Sequence, residues 1–376
     1  MIHIVTRGES VYQIAAYYGI TLEQVIRDNG LAYPYQLTPG QALFLPDGRD
    51  NREGRLYVNG YAYPFIERDV LAEAVPALTS LTIFGYGFTV DGRLVEPDDA
   101  ELLQYAQENG LVPVFLFSSL SEDGSFSSDN ASFLFHNDWL QELLLDQILS
   151  VMLEKGYRGL DIDFEFIKAD DKEGFIHFIR TAGSMLHPHG LFVHVDLAPK
   201  TSASQQGLLY EAHDYRKIGE AADTVLLMTY EWGYTYGPPM AVAPLDKVRQ
   251  VVEYAVTEIE RDKIYMGIPN YGYDWKLPFV MGTTKAETIG NEQAVERAIQ
   301  YGSDILYDEA ALSPYFQYVD REGASHIVWF ENAVSIEGKL NLIREYGLRG
   351  AGYWNLMRPF TQNWKLLLSM FHIVKE

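Results

Sequence analysis

Arg158-Gly159-Leu160-Asp161-Ile162-Asp163-Phe164-Glu165 sets three carboxylates at every second position at the end of an apolar run. Side chains two apart on a strand share a face. The spacing therefore predicts a ladder of Asp161, Asp163 and Glu165 on one side, with Leu160, Ile162 and Phe164 on the other. Carboxylates that close repel one another, and with partial burial one of them keeps a proton near neutral pH, which is how a general acid is made. A solvent-wetted strand face gives the same alternation, so the context has to decide. Here apolar residues back the acids and a helical run over 172–186 follows. That reads as a parallel strand feeding a helix, with the acids at its C-terminal end, where barrels of such units build their active sites.

The same grammar recurs along the chain. Apolar strand-like runs at 56–63, 81–88, 112–118, 159–165, 192–198, 224–230, 263–269 and 350–354 alternate with helical segments. Eight is the count that a closed (β/α)8 TIM barrel needs, so the expected fold class is α/β. Two gaps are long. The first is read as a loop over 121–130 and a helix over 137–155. The second, 271–349, exceeds one crossover and predicts a small α+β insertion between strands seven and eight, at about 276–335.

Residues 1–47 read as a unit of their own with βααβ order: a short strand, the turn Gly8-Glu9-Ser10, two helical patterns and a strand ending at Pro46. Ser10 is a candidate N-cap, with Val11, Ile14, Ala15 and Tyr18 at helical spacing behind it and Gly19 as the stop. Residues 48–54 are polar and aperiodic, as in a linker, which leaves 55–376 for the barrel.

The chain has 376 residues, 47% hydrophobic and 14% aromatic, enough for one barrel and one small module. A formal net charge of −23 argues against nucleic acid or an anionic membrane surface as partner. With no cysteine there are no disulfides or thiolate sites, and the nine histidines lack zinc-helix spacing, so neither metal nor cofactor is expected. The start, Met1-Ile2-His3-Ile4-Val5, has neither the basic nor the apolar region of a signal peptide, and no run of 18 apolar residues occurs. The expectation is a monomer made without an export signal and retained in the producing cell or assembled onto a structure formed inside it.

Gly8-Glu9-Ser10, Ile14-Ala15, Tyr18-Gly19-Ile20-Thr21, Asn29 and Leu37-x-x-Gly40-Gln41-x-Leu43-x-Leu45-Pro46 together resemble the LysM module. The resemblance implies binding of N-acetylglucosamine-containing glycans in a shallow groove, with Gly8, Glu9, Ser10 and Val11 on one side and Asn29, Gly30 and Leu31 on the other. For Gly8 and Ser10, a turn and a cap explain the residues equally well.

The barrel resembles glycoside hydrolase family 18, whose strand-four signature is D-x-x-D-x-D-x-E. Asp161, Asp163 and Glu165 match it, while Arg158 stands where the first Asp would fall. Met228-Thr229-Tyr230 resembles the family's Met-x-Tyr-Asp motif with Glu231 in the last place, and Trp354 falls where a strand-eight Trp floors the sugar site. The run from Met228 to Pro244 is similar to the subgroup of bacterial spore-germination and cortex-lytic glycosidases. That resemblance implies a retaining, substrate-assisted mechanism. Glu165 would be the acid, Asp163 the partner of the substrate's acetamido N–H, Asp161 its proton-sharing support, and Tyr230 the donor to the acetamido carbonyl. Trp354, Glu231, Trp232, Tyr63 and Met228 are the expected substrate contacts, whereas Asp196 and Lys200 read as structural. For Tyr234, Tyr236, Tyr273 and Trp275, lining a subsite and packing between loops are equally good readings. The implied function is a peptidoglycan-degrading N-acetylglucosaminidase acting on spore cortex or its fragments, located in the spore coat or cortex or otherwise with the cell wall. A chitinase and a non-catalytic glycan-binding coat protein are the alternatives.

Overall fold

Eight parallel strands close on themselves: Arg55–Ala62, Ser80–Phe88, Val112–Ser118, Gly159–Asp163, Phe192–Leu197, Thr224–Leu227, Ile264–Pro269 and Gly350–Trp354. Each pairs with its successor, and the last returns to the first in the register Gly350↔Tyr57 to Tyr353↔Gly60. Closure is tight enough that a Cβ on Gly350 would lie 2.0 Å from the Tyr57 carbonyl oxygen, so only glycine fits there. These observations come from a computed structural model that describes residues 1–50, 52–120 and 126–375. Residue 51 of the expected linker and residues 121–125 of the expected loop lie outside the described residues.

The outward faces of the strands meet helices through aliphatic and aromatic side chains. Leu160, Ile162 and Phe164 are buried in one continuous core with Leu144, Ile148, Phe175 and Ile179. The barrel interior is more polar. Asn59 accepts from Ser80 at 2.8 Å and donates to Thr82 at 2.8 Å, so these groups satisfy one another beneath the acidic residues.

Three departures from the sequence reading have local causes. Strand four ends at Asp163, two residues early, because Phe164 turns into an aromatic cage of Phe135, Phe175 and Phe178. The carboxylate ladder therefore has two rungs, and Glu165 sits beyond the strand next to Phe166 at φ 53°. Strand six stops at Leu227, and Tyr230 lies in a tight turn in which its N–H donates to the Met228 carbonyl at 2.8 Å. Finally, a helix over Ser128–Phe135 begins inside the expected loop, capped by Ser127, whose hydroxyl accepts from the Asn130 N–H at 3.1 Å.

Between strands seven and eight lies a five-stranded antiparallel sheet, built from Gly272–Lys276, Glu287–Ile289, Leu306–Asp308, Ser313–Val319 and Ser325–Trp329. The helix Asn291–Tyr301 packs with it, and the two share a small core of Ile289, Ala294, Ala298, Phe316 and Val328.

At the N-terminus, Ile2–Ile4 pairs antiparallel with Ala42–Phe44, enclosing helices Val11–Tyr18 and Leu22–Asp28. Ser10 and Gln13 form a reciprocal capping box, and Gly19 closes the first helix at φ 67°. Strand alternation splits the second strand's allegiance. Leu43 joins the module's own core with Val5, Val11 and Val25, while Ala42 and Phe44 join the core of the barrel. The module is bonded to the insertion as well: Ile305 N–H donates to Pro39 O at 2.8 Å and Thr38 Oγ1 to Ser303 O at 2.7 Å. A Cβ on Gly40 would meet the Ile305 carbonyl at 1.8 Å. Among the described residues, no helix is long and apolar enough to cross a membrane.

Candidate active site

Asp161 and Asp163 enter the barrel axis from strand four, one turn of the pleat apart, and a cavity of about 410 Å³ opens above them at the C-terminal ends of the strands. Asp163, Glu165, Tyr230, Met228, Glu231, Trp232, Tyr63 and Trp354 all line it. All of the catalytic and substrate-contact residues expected from sequence are thus brought to one place except Asp161, which is fully buried one layer below. Arg158 lies at the opposite, N-terminal end of the strand and is exposed. Three residues of strand, about 10 Å, separate it from Asp161, so the departure from the signature leaves that carboxyl untouched.

The electrostatics follow from burial without counter-charge. Among the described residues, both oxygens of Asp161 and one of Asp163 have no hydrogen-bond partner. Burial pushes Asp161 up to about 7, opposed by the nearby hydroxyls of Tyr61 and Thr82. Neither hydroxyl is free for it: Tyr61 donates to Asp196 at 2.9 Å and Thr82 is engaged with Asn59. Asp163 is raised well above the carboxylate range by burial first, then by the charges of Glu165 and Asp161. Glu165 is raised by burial and then by Glu231. The arrangement holds protons on a set of carboxyls that share charge, so the site has an acid ready at neutral pH.

Glu231, in the left-handed region at φ 66°, accepts from Tyr271 and, at 3.0 Å, from Tyr273. Although the residue as a whole is exposed, its carboxyl is enclosed by the pocket wall, which raises it, and the two phenols oppose the rise. Trp354 presents a ring backed at 5.5 Å by Phe84 and at 5.8 Å by Tyr61. An aromatic platform fixed in this way suits the apolar face of a pyranose.

Several lining residues escaped the sequence reading. Asp196, read as structural, lines the cavity and is raised by burial and by Asp161 and Asp163. Tyr271 and Arg358 line it too; Tyr271, two residues past strand seven, carried the signal of a polar group at a strand's C-terminal end. Tyr273, open between a subsite and loop packing in the sequence, lines the cavity as well. Lys200 lies elsewhere, donating to the His213 carbonyl at 3.0 Å, and Trp275 is buried in packing. Tyr234 and Tyr236 are exposed and outside the cavity lining. Among the described residues, Asp161, His194 and Asp196 bring possible ligand atoms within 4.8 Å of one another. His194 is already bonded to Thr224 at 2.7 Å, and burial lowers its ring to about 3, leaving a neutral imidazole beneath the acids.

On the module, two of the residues expected to contact glycan have side chains engaged in the fold. Val11 is buried in the module core, so its side chain cannot reach a ligand. Asn29 is consumed by backbone: Nδ2 donates to Val25 O and Phe44 O, both at 2.8 Å, and Oδ1 accepts from Phe44 N–H at 2.6 Å. Glu9 caps the Thr6 N–H at 2.7 Å, and Ser10 caps the helix. Gly8 forms its turn at φ 90°, and Gly30 lies against Glu292. Leu31 borders a second cavity, between module and barrel.

Residues 120–358 match the glycosyl hydrolases family 18 and residues 3–46 the LysM domain. The chain is 43% identical to a cortical fragment-lytic enzyme of Bacillus subtilis over 81% of its own length and 70% of the relative's. It is 36% identical to a cortical fragment-lytic enzyme of Bacillus anthracis, with both chains covered in full. Among solved structures, the spore cortex-lytic enzyme SleL of Bacillus cereus superposes with a TM-score of 0.83 at 35% identity, covering 100% of this chain and 87% of that one. A chitinase of Chromobacterium violaceum superposes with a TM-score of 0.77 at 25% identity, over 84% of this chain and 98% of that one.

Proposed function

The chain belongs to glycosyl hydrolases family 18, and from that premise we propose that it is a peptidoglycan-degrading glycosidase that hydrolyses β-1,4 bonds beside N-acetylglucosamine in spore cortex or its fragments. The observation that carries this reading is the buried, uncompensated pair Asp161 and Asp163 beneath Glu165 and Tyr230 in a cavity walled by Trp354.

In the proposed reaction Glu165 donates its proton to the glycosidic oxygen as that bond breaks. The substrate's own acetamido oxygen attacks the anomeric carbon, forming an oxazolinium ring and leaving the departing sugar as an alcohol. Asp163 accepts the acetamido N–H and its charge faces the developing cation. Asp161 lets the pair carry one net charge rather than two, because both titrate upward together. Tyr230 donates to the acetamido carbonyl and holds it in line for attack. Water, deprotonated by Glu165, then adds to the face that the departing sugar vacated, opposite the oxazolinium oxygen, and opens the ring. Glu165 regains its proton, and configuration is retained. Residues 1–47 act as a glycan-holding module, tied through 48–54 to the catalytic unit 55–376, and keep the barrel on an insoluble polymer. On this reading the protein acts at the spore wall.

The likeness to a chitinase supports a second reading, hydrolysis of uniform N-acetylglucosamine polymers. Mass spectrometry of fragments released from purified spore peptidoglycan and from chitin, by the unmodified chain and by Glu165→Gln, separates the two. New peptidoglycan fragments ending in reducing N-acetylglucosamine, lost by about 10³-fold in the variant, are expected. Release from chitin alone would favour the second reading, and equal rates for both proteins would remove Glu165 as the acid.

A further inference from the structure

A second cavity, of about 330 Å³, lies where the module meets the barrel, between residues 29–36 and the helix Asn291–Tyr301. Two of its lining side chains are buried with one polar atom each left over. Glu331 spends Oε2 on Lys339 Nζ at 2.8 Å, and Asn291 spends Oδ1 on the Glu331 N–H at 2.9 Å. Among the described residues, Glu331 Oε1 and Asn291 Nδ2 have no partner. A buried acceptor and a buried donor on side chains that line one cavity, both unmet, are rare and costly in a folded chain unless a ligand completes them. An acetamido group presents one N–H and one carbonyl, the complement of that pair. Leu31 and Val295 add apolar surface for its methyl, and Tyr33, 85% exposed at the rim, offers a face for a sugar ring. Glu292 and Glu296 on the same wall disfavour a sugar that bears a carboxylate.

The two cavities are neighbours along two stretches of chain. Thr288 and Arg358 line the catalytic cavity, Asn291 and Phe360 line this one, and Arg358 Nη2 donates to Thr288 O at 3.4 Å across the ridge between them. Three residues of one stretch and two of the other bound the separation at about 11 Å and 7 Å. A glycan of a few sugars spans that.

We propose that the cavity at the module seam is a distal subsite for an uncharged N-acetylhexosamine of the same glycan strand whose scissile bond lies in the catalytic cavity. The proposal rests on the glycosidase reading. The module then does more than tether: its loop at 29–36 forms one wall of an extended substrate track whose other wall belongs to the barrel. Because the module is bonded to the insertion, the track needs no separate ordering step on binding.

The test is calorimetric titration of the full-length Glu165→Gln chain with β-1,4-linked N-acetylglucosamine oligomers of two and six residues, alone and with Tyr33→Ala or Val295→Trp added. The six-residue oligomer should bind about tenfold more tightly than the two-residue one, equivalent to one aromatic contact. Val295→Trp, which fills the cavity, should remove that advantage. Tyr33→Ala, at an exposed position that does not threaten folding, should remove most of it. An advantage that survives both substitutions, or that is absent from the parent, overturns the distal subsite while leaving the catalytic reading intact. If neither oligomer binds the parent and the unmodified chain cleaves no glycan, the glycosidase reading itself fails, and the subsite with it.

Discussion

Asp274 and Asp161 are both aspartates on strands and both almost wholly buried, yet their surroundings are opposite. Asp274, in the inserted sheet, accepts from Arg297, from the Tyr318 hydroxyl at 2.6 Å and from His326 at 2.8 Å. Asp161, in the barrel, has no hydrogen-bond partner on either oxygen among the described residues and faces Asp163 rather than a cation. A buried carboxylate that serves structure is surrounded by donors. One left without donors costs stability, and a fold retains it where the chemistry needs the shifted proton. Within the barrel itself, Asp99 repeats the structural pattern, accepting from Tyr157 at 2.6 Å and Lys155 at 3.0 Å. The difference therefore lies in position relative to the cavity and is not a property of the domain.

Asp274→Ala gives the largest stability effect. It leaves Arg297 with the exposed Glu287 in place of a buried partner and removes the acceptor of the Tyr318 hydroxyl and of His326 Nδ1. Urea denaturation should show a loss of about 3–5 kcal/mol. A loss below about 1 kcal/mol would mean that the donor cage is not what separates the two aspartates.

Asp161→Asn should have the opposite sign at neutral pH. The folded carboxyl titrates near 7, against about 3.9 in an unfolded chain, so between these values the folded state holds the proton more tightly. The wild type therefore loses stability as pH rises through that window, and an amide, which does not titrate, escapes the loss. The variant should gain on the order of 1–4 kcal/mol at pH 8, and the gain should shrink towards zero near pH 4. Its turnover should fall about tenfold or more, because Asp163 loses the neighbour with which it shares a proton. Melting curves at the two pH values read the first effect. A gain independent of pH would point to packing instead of charge.

The same contrast explains what could be read from the sequence. Strand positions were legible because a parallel strand buried on both faces is a near-continuous apolar run, as at Val112–Ser118. The acids were legible because period-two spacing survives as far as Asp163. The strand's end was not, since it depends on Phe164 meeting Phe135 and Phe175 from separate helices. Asp196 gave no signal because its surroundings are supplied by Tyr61, 135 residues away. Val11 and Asn29 matched a glycan-binding pattern, but helical spacing already placed Val11 inward, and the bonds of Asn29 to Phe44 become visible only once the second strand is folded beside it.

The smallest effect concerns the tuning of Glu165 across the cavity mouth. Tyr273 donates to Glu231, and that bond favours the charged form of Glu231, whose negative charge in turn raises Glu165. Tyr273→Phe removes the donor. Glu231 then holds its proton to higher pH, less negative charge faces Glu165, and the acid gives up its own proton earlier. The alkaline limb of the kcat/KM profile should move down by about 0.3 pH units, a small shift because Tyr271 still donates to Glu231. Glu231→Gln, which abolishes the charge outright, should move the limb further in the same direction. If the two variants moved it in opposite directions, Tyr273 would be acting on the substrate and not through Glu231.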